Sequence, residues 1–382
     1  MRRAIFLGVV VGLLAPGSAL AADSVTLTAP ARVTWARTAT FTGTVTPAAG
    51  GESVRLYRQT GPSTWALAGT TTTKADGSFS FQGVMKSPAT FLAMGTDGTG
   101  ADVQSAPVSI AIRPLLSTRR TGSRTIGARL YVRGRLVPKA AGSVNVRIGS
   151  TTRKARLSRR GYYRVRIPTT RWFRYRAYVR VKPSSGYTAR RRVVRVRVRR
   201  VSLGLGSSGV AARWLDKSLA ARHYALAGVD RRYGYDTRDA VLAFQKVHGL
   251  ARTGYFPARL WRVLRDSGTP RAHIRRGNHI EVSKPRQLLY EVRDGKVVRI
   301  SHVSTGATGN TPVGHFHVYW KSPGFNGVGM YYSMFFTGAF AIHGYHSVPA
   351  YQASHGCVRT PLWYAPRIFS RWGVGTSVYV FG

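Results

Sequence analysis

Short runs of alternating apolar and polar residues dominate the first half of the chain, and Gly, Pro, Asp and Ser residues separate them. A period of two puts every other side chain on one face, so this alternation predicts strands rather than helices. The clearest runs are residues 40–45, 53–57, 79–82 and 108–112. Their spacing predicts an Ig-like β-sandwich at residues 24–113.

Residues 114–200 repeat the same plan. Gly-Thr-Val-Thr-Pro at 43–47 matches Gly-Arg-Leu-Val-Pro at 134–138, and the segment 77–81 matches 161–165. Similarity of this kind indicates an internal repeat. We therefore predict a second, arginine-rich β-sandwich at residues 114–200.

The hydrophobic period becomes helical in the next segment, residues 201–268. Amphipathic residues around Trp214 and Leu219 predict a first helix, and Pro257 opens a third. Asp236 is placed to cap the second helix, which Gly249 ends. A small three-helix bundle is the expected structure.

Strand-like alternation returns at residues 272–382, where Asp294 and Gly295 form a two-residue hairpin turn. Together these patterns predict a mainly β, multidomain protein. It comprises two tandem β-sandwiches, a three-helix bundle and a C-terminal β-rich domain.

The net charge narrows the choice of partner. The 382 residues include 59 Lys and Arg against 13 Asp and Glu, which gives a formal charge of +46. Residues 114–200 hold 27 basic residues and no acidic residue, and at 194–199 arginines alternate with valines along one predicted strand face. Such a face suits polyphosphate or polycarboxylate, so anionic cell-wall polymers are expected partners. A solvated, arginine-decorated face without a ligand is the alternative.

The N-terminus, residues 1–21, has the layout of a secretory signal peptide. Arg2 and Arg3 precede an apolar run at 4–14, and Ala-Leu-Ala follows at 19–21. The run is shorter than the roughly 20 residues of a membrane-spanning helix, although an uncleaved anchor is the alternative. We expect secretion to the cell wall or periplasmic space, with no transmembrane segment after cleavage and no specific nucleic-acid partner.

The single cysteine, Cys357, cannot form an internal disulfide and lies in Ser-His-Gly-Cys-Val-Arg at 354–359. A cysteine with a histidine in reach is expected to form a thiolate–imidazolium pair that attacks an amide carbonyl. Gly344 beside His343, and Gly356 beside Cys357, would leave main-chain N–H groups open to stabilise an oxyanion.

A zinc hydrolase is an alternative, because eight of the ten histidines lie after residue 272. The helical spacing of zinc peptidases is absent, and the acids of this domain lie near its first hairpin. We therefore expect no metal and no cofactor.

Two family resemblances sharpen these expectations. Residues 233–254, with Tyr-Gly, Ala-Val, Phe-Gln, Gly-Leu and Thr-Gly pairs, resemble the type 1 peptidoglycan-binding domain. His343-Gly344 followed by Ser354-His355-Gly356-Cys357-Val358-Arg359 is similar to the active-site signature of the YkuD-type L,D-transpeptidases, and the resemblance extends over residues 280–381.

The second resemblance implies roles for individual residues. Cys357 would be the nucleophile and His343 its general base. Ser354 and His355 would shape the hydrogen bonds of the thiol, and Gly356 would share the oxyanion site with Cys357. Arg359 would orient the site or meet a substrate carboxylate. Gly344 would belong to the substrate-binding site, to which Tyr331 or Tyr332 would add a donor or a wall.

The reaction implied is the crosslinking of peptidoglycan stem peptides through a thioester. An L,D-carboxypeptidase or other stem-peptide hydrolase on the same site, and a non-catalytic wall-binding protein, are the alternatives.

Overall fold

The computed structural model describes residues 23–48, 50–96, 100–171 and 173–382. The predicted signal peptide lies outside the described residues. No helix within the described ranges is long and apolar enough to cross a membrane.

The N-terminal strands form a pair of sheets around one apolar core. The strands are β1 (Ser24–Val25), β2 (Arg32–Thr34), β3 (Arg37–Thr46), β4 (Ser53–Gln59), β5 (Trp65–Thr72), β6 (Ser78–Met85), β7 (Ala89–Thr96), β8 (Asp102–Gln104) and β9 (Val108–Arg113). Their sheet orders are β1-β3-β6 and β2-β9-β7-β4-β5, with β8 on β7. Phe41, Phe79 and Ile110 are buried between the sheets, as the period-two alternation predicts.

A second set of strands follows the same plan. It comprises β10 (Leu115–Gly122), β11 (Leu130–Val137), β12 (Gly142–Ile148), β13 (Thr151–Ala155), β14 (Tyr162–Ile167), β15 (Arg174–Pro183) and β16 (Arg190–Arg197), with a 3₁₀ turn at Lys139–Ala141. The sheet orders are β10-β11-β14 and β13-β12-β15-β16.

Two glycines at matching positions of the predicted repeat each have a close backbone neighbour. A Cβ atom on Gly43 would lie 2.1 Å from the carbonyl oxygen of Thr26, and one on Gly134 would lie 2.0 Å from that of Ser117. Both sites therefore admit only glycine, because a neighbouring backbone passes too close for any side chain.

The chain forms two compact units. The first comprises the described residues up to 119 with 133–165 and 177–194, and the second comprises 120–132, 166–176 and 195–382. This grouping does not test the predicted domain boundaries, which stay predictions.

The first three helices of the second unit are α1 (Val210–Ala220), α2 (Tyr235–Val247) and α3 (Leu260–Asp266). Their apolar faces bury Leu215, Phe244 and Trp261, and Gly249 follows α2 with φ +62°, as a helix-ending glycine does. The predicted cap of α2 was wrong. Gly234 is the capping residue, and Asp236 lies in the first turn, where its carboxylate accepts the N–H of Ala227.

The C-terminal strands build two further sheets around a shared core. They are β17 (His279–Ser283), β18 (Leu288–Arg293), β19 (Lys296–His302), β20 (Gly314–His317), β21 (Trp320–Phe325), β22 (Tyr331–Thr337), β23 (Phe340–Tyr345), β24 (Val358–Pro361) and β25 (Ser377–Phe381), with helix α4 at Ala365–Arg371. The orders are β19-β18-β17-β25-β20 and β21-β22-β23-β24. The predicted hairpin turn is confirmed, since Asp294 and Gly295 join β18 to β19 with positive φ angles.

Candidate active site

Two parallel strands bring the predicted cysteine and histidine to one region. β23 pairs with β24 in a register that sets Ile342 beside Val358 and His343 beside Arg359. Ile342 and Val358 belong to the buried core. Because side chains alternate along strands, His343 and Arg359 lie on the opposite face. Cys357 immediately precedes β24, two positions before Arg359, so it approaches the same face.

The thiol of Cys357 lies in a partly buried setting. Its Sγ accepts the N–H of Ala341 at 3.4 Å, and it lies 3.7 Å from the carbonyl oxygen of Ala339 and 4.0 Å from the sulfur of Met330. Burial raises the pKa of this thiol, against smaller opposing effects of the Ala341 N–H and the positive charge of Arg359. The resting group is therefore a thiol that remains in part accessible to a substrate.

His343 is held as a neutral imidazole. Its side chain is 3% exposed, and Nδ1 donates to the carbonyl oxygen of Gly344 at 2.9 Å. This bond leaves the lone pair on Nε2. Burial lowers the pKa of His343 to about 4, and Arg359 adds to the effect. The preformed thiolate–imidazolium pair expected from the sequence is therefore not the resting state, and within the described residues no hydrogen bond joins the thiol to the imidazole.

Ser354 fixes the backbone of the loop that carries the thiol. Its buried Oγ donates to the carbonyl oxygen of Cys357 at 2.5 Å and accepts the N–H of Gly356 at 3.1 Å. The Gly356 amide is thus already engaged and is not open to an oxyanion in this state. The N–H of Cys357 has no acceptor among the described groups and is the available donor.

Gly356 is required by the shape of this loop. It has φ +129°, and a Cβ atom there would lie 2.1 Å from a ring carbon of Phe340. Sequence reasoning missed Phe340, and it also missed two residues that anchor the loop. Asn310 donates to the carbonyl oxygen of His355 at 2.9 Å, and Thr311 donates to that of Gly356 at 2.7 Å. Both residues lie 45 positions from their partners in the sequence, so only the folded chain brings them to the loop.

The side chain of His355 is exposed, so the structure places only its backbone in the hydrogen bonds around the loop. Arg359 is half-buried, and its guanidinium lies 4.1 Å from the ring centroid of Tyr345. None of the ion pairs between described residues involves Arg359. Its charge therefore faces the site without a carboxylate partner.

Tyr331 and Tyr332 lie at the start of β22 as a half-buried pair with ring centroids 4.7 Å apart. Tyr331 is paired in register with Gly344. A Cβ atom on Gly344 would lie 2.7 Å from Cβ of Ala365 and 3.2 Å from the Tyr331 ring. Gly344 thus allows the close approach of helix α4 to the strand that carries His343.

The carboxylates of this part of the chain serve structural roles. Glu281 accepts two backbone N–H groups and contacts His279, whereas Glu291 binds Arg371 and Trp372. In the part of the chain that the structure describes, no group of three or more His, Cys, Asp or Glu side chains is arranged to hold a metal ion.

Comparison with known proteins agrees with this geometry. Residues 277–380 match the model of the L,D-transpeptidase catalytic domain, and residues 208–264 match that of a putative peptidoglycan binding domain. A search of curated proteins found no match. Among solved structures, an L,D-transpeptidase (residues 123–326) from Xylanimonas cellulosilytica DSM 15894 is 32% identical. The alignment covers 47% of this chain and 98% of that one, with a TM-score of 0.46.

Two other structures are more remote. A tetra-tandem repeat of a large adhesion protein is 18% identical over 48% of this chain and 51% of that one, with a TM-score of 0.29. A superoxide reductase from Ignicoccus hospitalis is 16% identical over 24% and 82%, with a TM-score of 0.21. Neither bears on the assignment. By its matches to the catalytic-domain model and to the Xylanimonas protein, the chain belongs to the L,D-transpeptidase family, with a peptidoglycan binding domain directly N-terminal to its catalytic domain.

Proposed function

We propose that the protein is a secreted, cysteine-dependent L,D-transpeptidase that crosslinks peptidoglycan stem peptides through a thioester acyl-enzyme. The observation that carries the proposal is the approach of Cys357 to the strand face that holds His343, whose lone pair is fixed on Nε2. A peptidoglycan binding domain on the same chain supports the choice of substrate.

The first half-reaction uses the neutral pair. As Sγ attacks the carbonyl carbon that precedes the terminal D-alanine, Nε2 of His343 takes the thiol proton. The N–H of Cys357 stabilises the oxyanion. The imidazolium then gives its proton to the leaving amine, so that D-alanine departs and the thioester remains.

The second half-reaction restores the enzyme. An amine of a neighbouring stem attacks the thioester, loses a proton to Nε2 and forms the new amide, and Sγ leaves with a proton from the imidazolium. Arg359, which has no carboxylate partner among the described residues, is placed to bind a stem carboxylate. Tyr331 and Tyr332 line the path by which the substrate reaches Cys357. Attack by water in place of the amine would make the protein a carboxypeptidase.

Product analysis separates these outcomes. Purified full-length protein is incubated with a disaccharide tetrapeptide, and the products are identified by mass spectrometry. We expect a crosslinked dimer together with free D-alanine. Tripeptide without dimer would indicate the hydrolase, and neither product would indicate a wall-binding protein without catalysis.

We further propose that the arginine-rich strands bind an anionic wall polymer. In this sheet, Lys154 of β13 and Arg180 of β15 both lie beside Asn145 of the central strand β12. Lys182 and Arg147 lie on the same face. All four basic side chains are exposed, and Arg147 stacks over Tyr178 at 5.0 Å. The opposite face of these strands is buried valine.

Adsorption of the full-length protein to immobilised polyphosphate tests this face. We expect binding to weaken by an order of magnitude or more between 0.1 and 1 M salt, because the screening length falls from about 10 Å to about 3 Å. Replacing the four basic residues by glutamine should remove most binding at low salt. A control variant carries the same loss of charge on the first sandwich, at Arg32, Arg37, Lys74 and Lys86. Equal loss in both variants, or salt-independent binding, would contradict a specific face.

A further inference from the structure

A buried lysine of the peptidoglycan binding domain lies against the catalytic domain. Lys246, on α2, is 3% exposed. Its Nζ lies 2.9 Å from the carbonyl oxygen of Gln287, 2.9 Å from Nδ1 of His302 and 3.0 Å from the carbonyl oxygen of Val303. Burial lowers the pKa of Lys246 to about 6. A buried amine is tolerated only where hydrogen bonds replace its contacts with water, so the burial of Lys246 depends on these three partners from the catalytic domain.

Gln287 continues the contact into the catalytic domain. Its backbone carbonyl binds Lys246, and its side chain pairs with Thr305 in both directions. Nε2 donates to Thr305 Oγ1 at 2.7 Å, and Oε1 accepts the N–H of Thr305 at 2.8 Å. Gln287 has φ +55°, a backbone conformation rare for a residue with a side chain, so it depends on such contacts to persist.

Thr305 is bonded in turn to the loop of the nucleophile. Its carbonyl oxygen accepts the N–H groups of Ala353 at 2.9 Å and Ser354 at 3.0 Å. Ser354 then holds the carbonyl oxygen of Cys357 and the N–H of Gly356. A continuous chain of hydrogen bonds therefore runs from the amine of Lys246 to the backbone of Cys357, and both ends lie in the same compact unit.

We infer that Lys246 is a positioning residue for Cys357, acting through Gln287, Thr305 and Ser354, so that the peptidoglycan binding domain helps to assemble the active site. The inference rests on the proposed function, since it assigns Lys246 a part in placing the nucleophile. It does not require Lys246 to touch the substrate.

The test compares full-length Lys246→Met with wild type. We expect kcat to fall by about tenfold or more while KM stays within about twofold, because small displacements of a reacting group cost up to about 100-fold. Alkylation of Cys357 by iodoacetamide should become roughly fivefold faster as the released loop exposes the thiol. The thermal midpoint and circular dichroism confirm that the variant is folded. Thr305→Val, which removes the Oγ1 contact, is the second variant in case Lys246→Met does not fold.

A matched control removes a different contact between the same two domains. Arg367, on α4, donates to the carbonyl oxygens of Leu226 and Ala227 at 3.0 Å each, outside the chain of bonds to Cys357. Arg367→Met should leave both kcat and the alkylation rate close to wild type. The inference fails if a folded Lys246→Met or Thr305→Val matches wild type in both readouts, or if Arg367→Met changes them equally. If wild type makes no crosslinked product, the alkylation rates still decide the positioning role independently of the proposed function.

Discussion

Replacing Cys357 by alanine is expected to lower the rate of D-alanine release by at least about 10⁴-fold, because the substitution removes the nucleophile on which both half-reactions depend. The loss should appear in kcat/KM for the tetrapeptide, measured by the appearance of free D-alanine. Cys357 is the only cysteine of the chain, so no second thiol can replace it.

The loss must arise from chemistry rather than misfolding. The Cys357 side chain is partly buried and makes no hydrogen bond stronger than that from the Ala341 N–H at 3.4 Å. We therefore expect the thermal midpoint of Cys357→Ala to stay near that of wild type. Val328→Ala, at a side chain that is 74% exposed, is a control for the effects of expression and purification on a variant. Substantial D-alanine release by a folded Cys357→Ala would exclude a cysteine mechanism.

The pH dependence of kcat/KM is expected to show an acid limb near pH 4. His343 must be unprotonated to accept the thiol proton, and burial lowers its pKa to about 4. Activity is therefore lost as the pH falls through that value, not through the 6.5 of an ordinary histidine. His343→Ala should cost about 10²- to 10⁴-fold in kcat/KM and remove this limb.

Alkylation of Cys357 distinguishes the neutral pair from an ion pair. Because burial raises the pKa of the thiol, the rate of reaction with iodoacetamide should climb with pH through the alkaline range. A thiolate–imidazolium pair would instead react rapidly and at a constant rate near neutrality. A plateau between pH 5 and pH 8 would contradict the neutral resting state.

Local patterns in the sequence predict the framework of the site well. The Asp294-Gly295 pair predicts a hairpin turn, because a two-residue turn of this kind requires positive φ angles and Asp-Gly adopts them readily. The resemblance implies that His343 lies on a strand close to Cys357, and the structure sets His343 on β23 and Cys357 immediately before the neighbouring β24.

Features that depend on burial could not be predicted in this way. The sequence predicts that the N–H of Gly356 is free to bind an oxyanion, whereas in the structure it donates to the hydroxyl oxygen of Ser354. The charge state of His343 follows from its 3% exposure, which residue spacing does not report. The burial of Lys246 depends on partners 41 to 57 residues away in sequence, which the helical pattern of α2 does not report.

The most direct measurement is the mass of the protein during turnover. Wild-type protein is mixed with the disaccharide tetrapeptide, and the reaction is quenched in acid during the steady state. The protein is then digested, and the masses of its peptides are measured by mass spectrometry. We predict that the peptide containing Cys357 gains the mass of the substrate acyl group without D-alanine, and that hydroxylamine removes this mass. Product formation without any acylated Cys357 peptide, or acylation at another residue, would contradict the thioester mechanism.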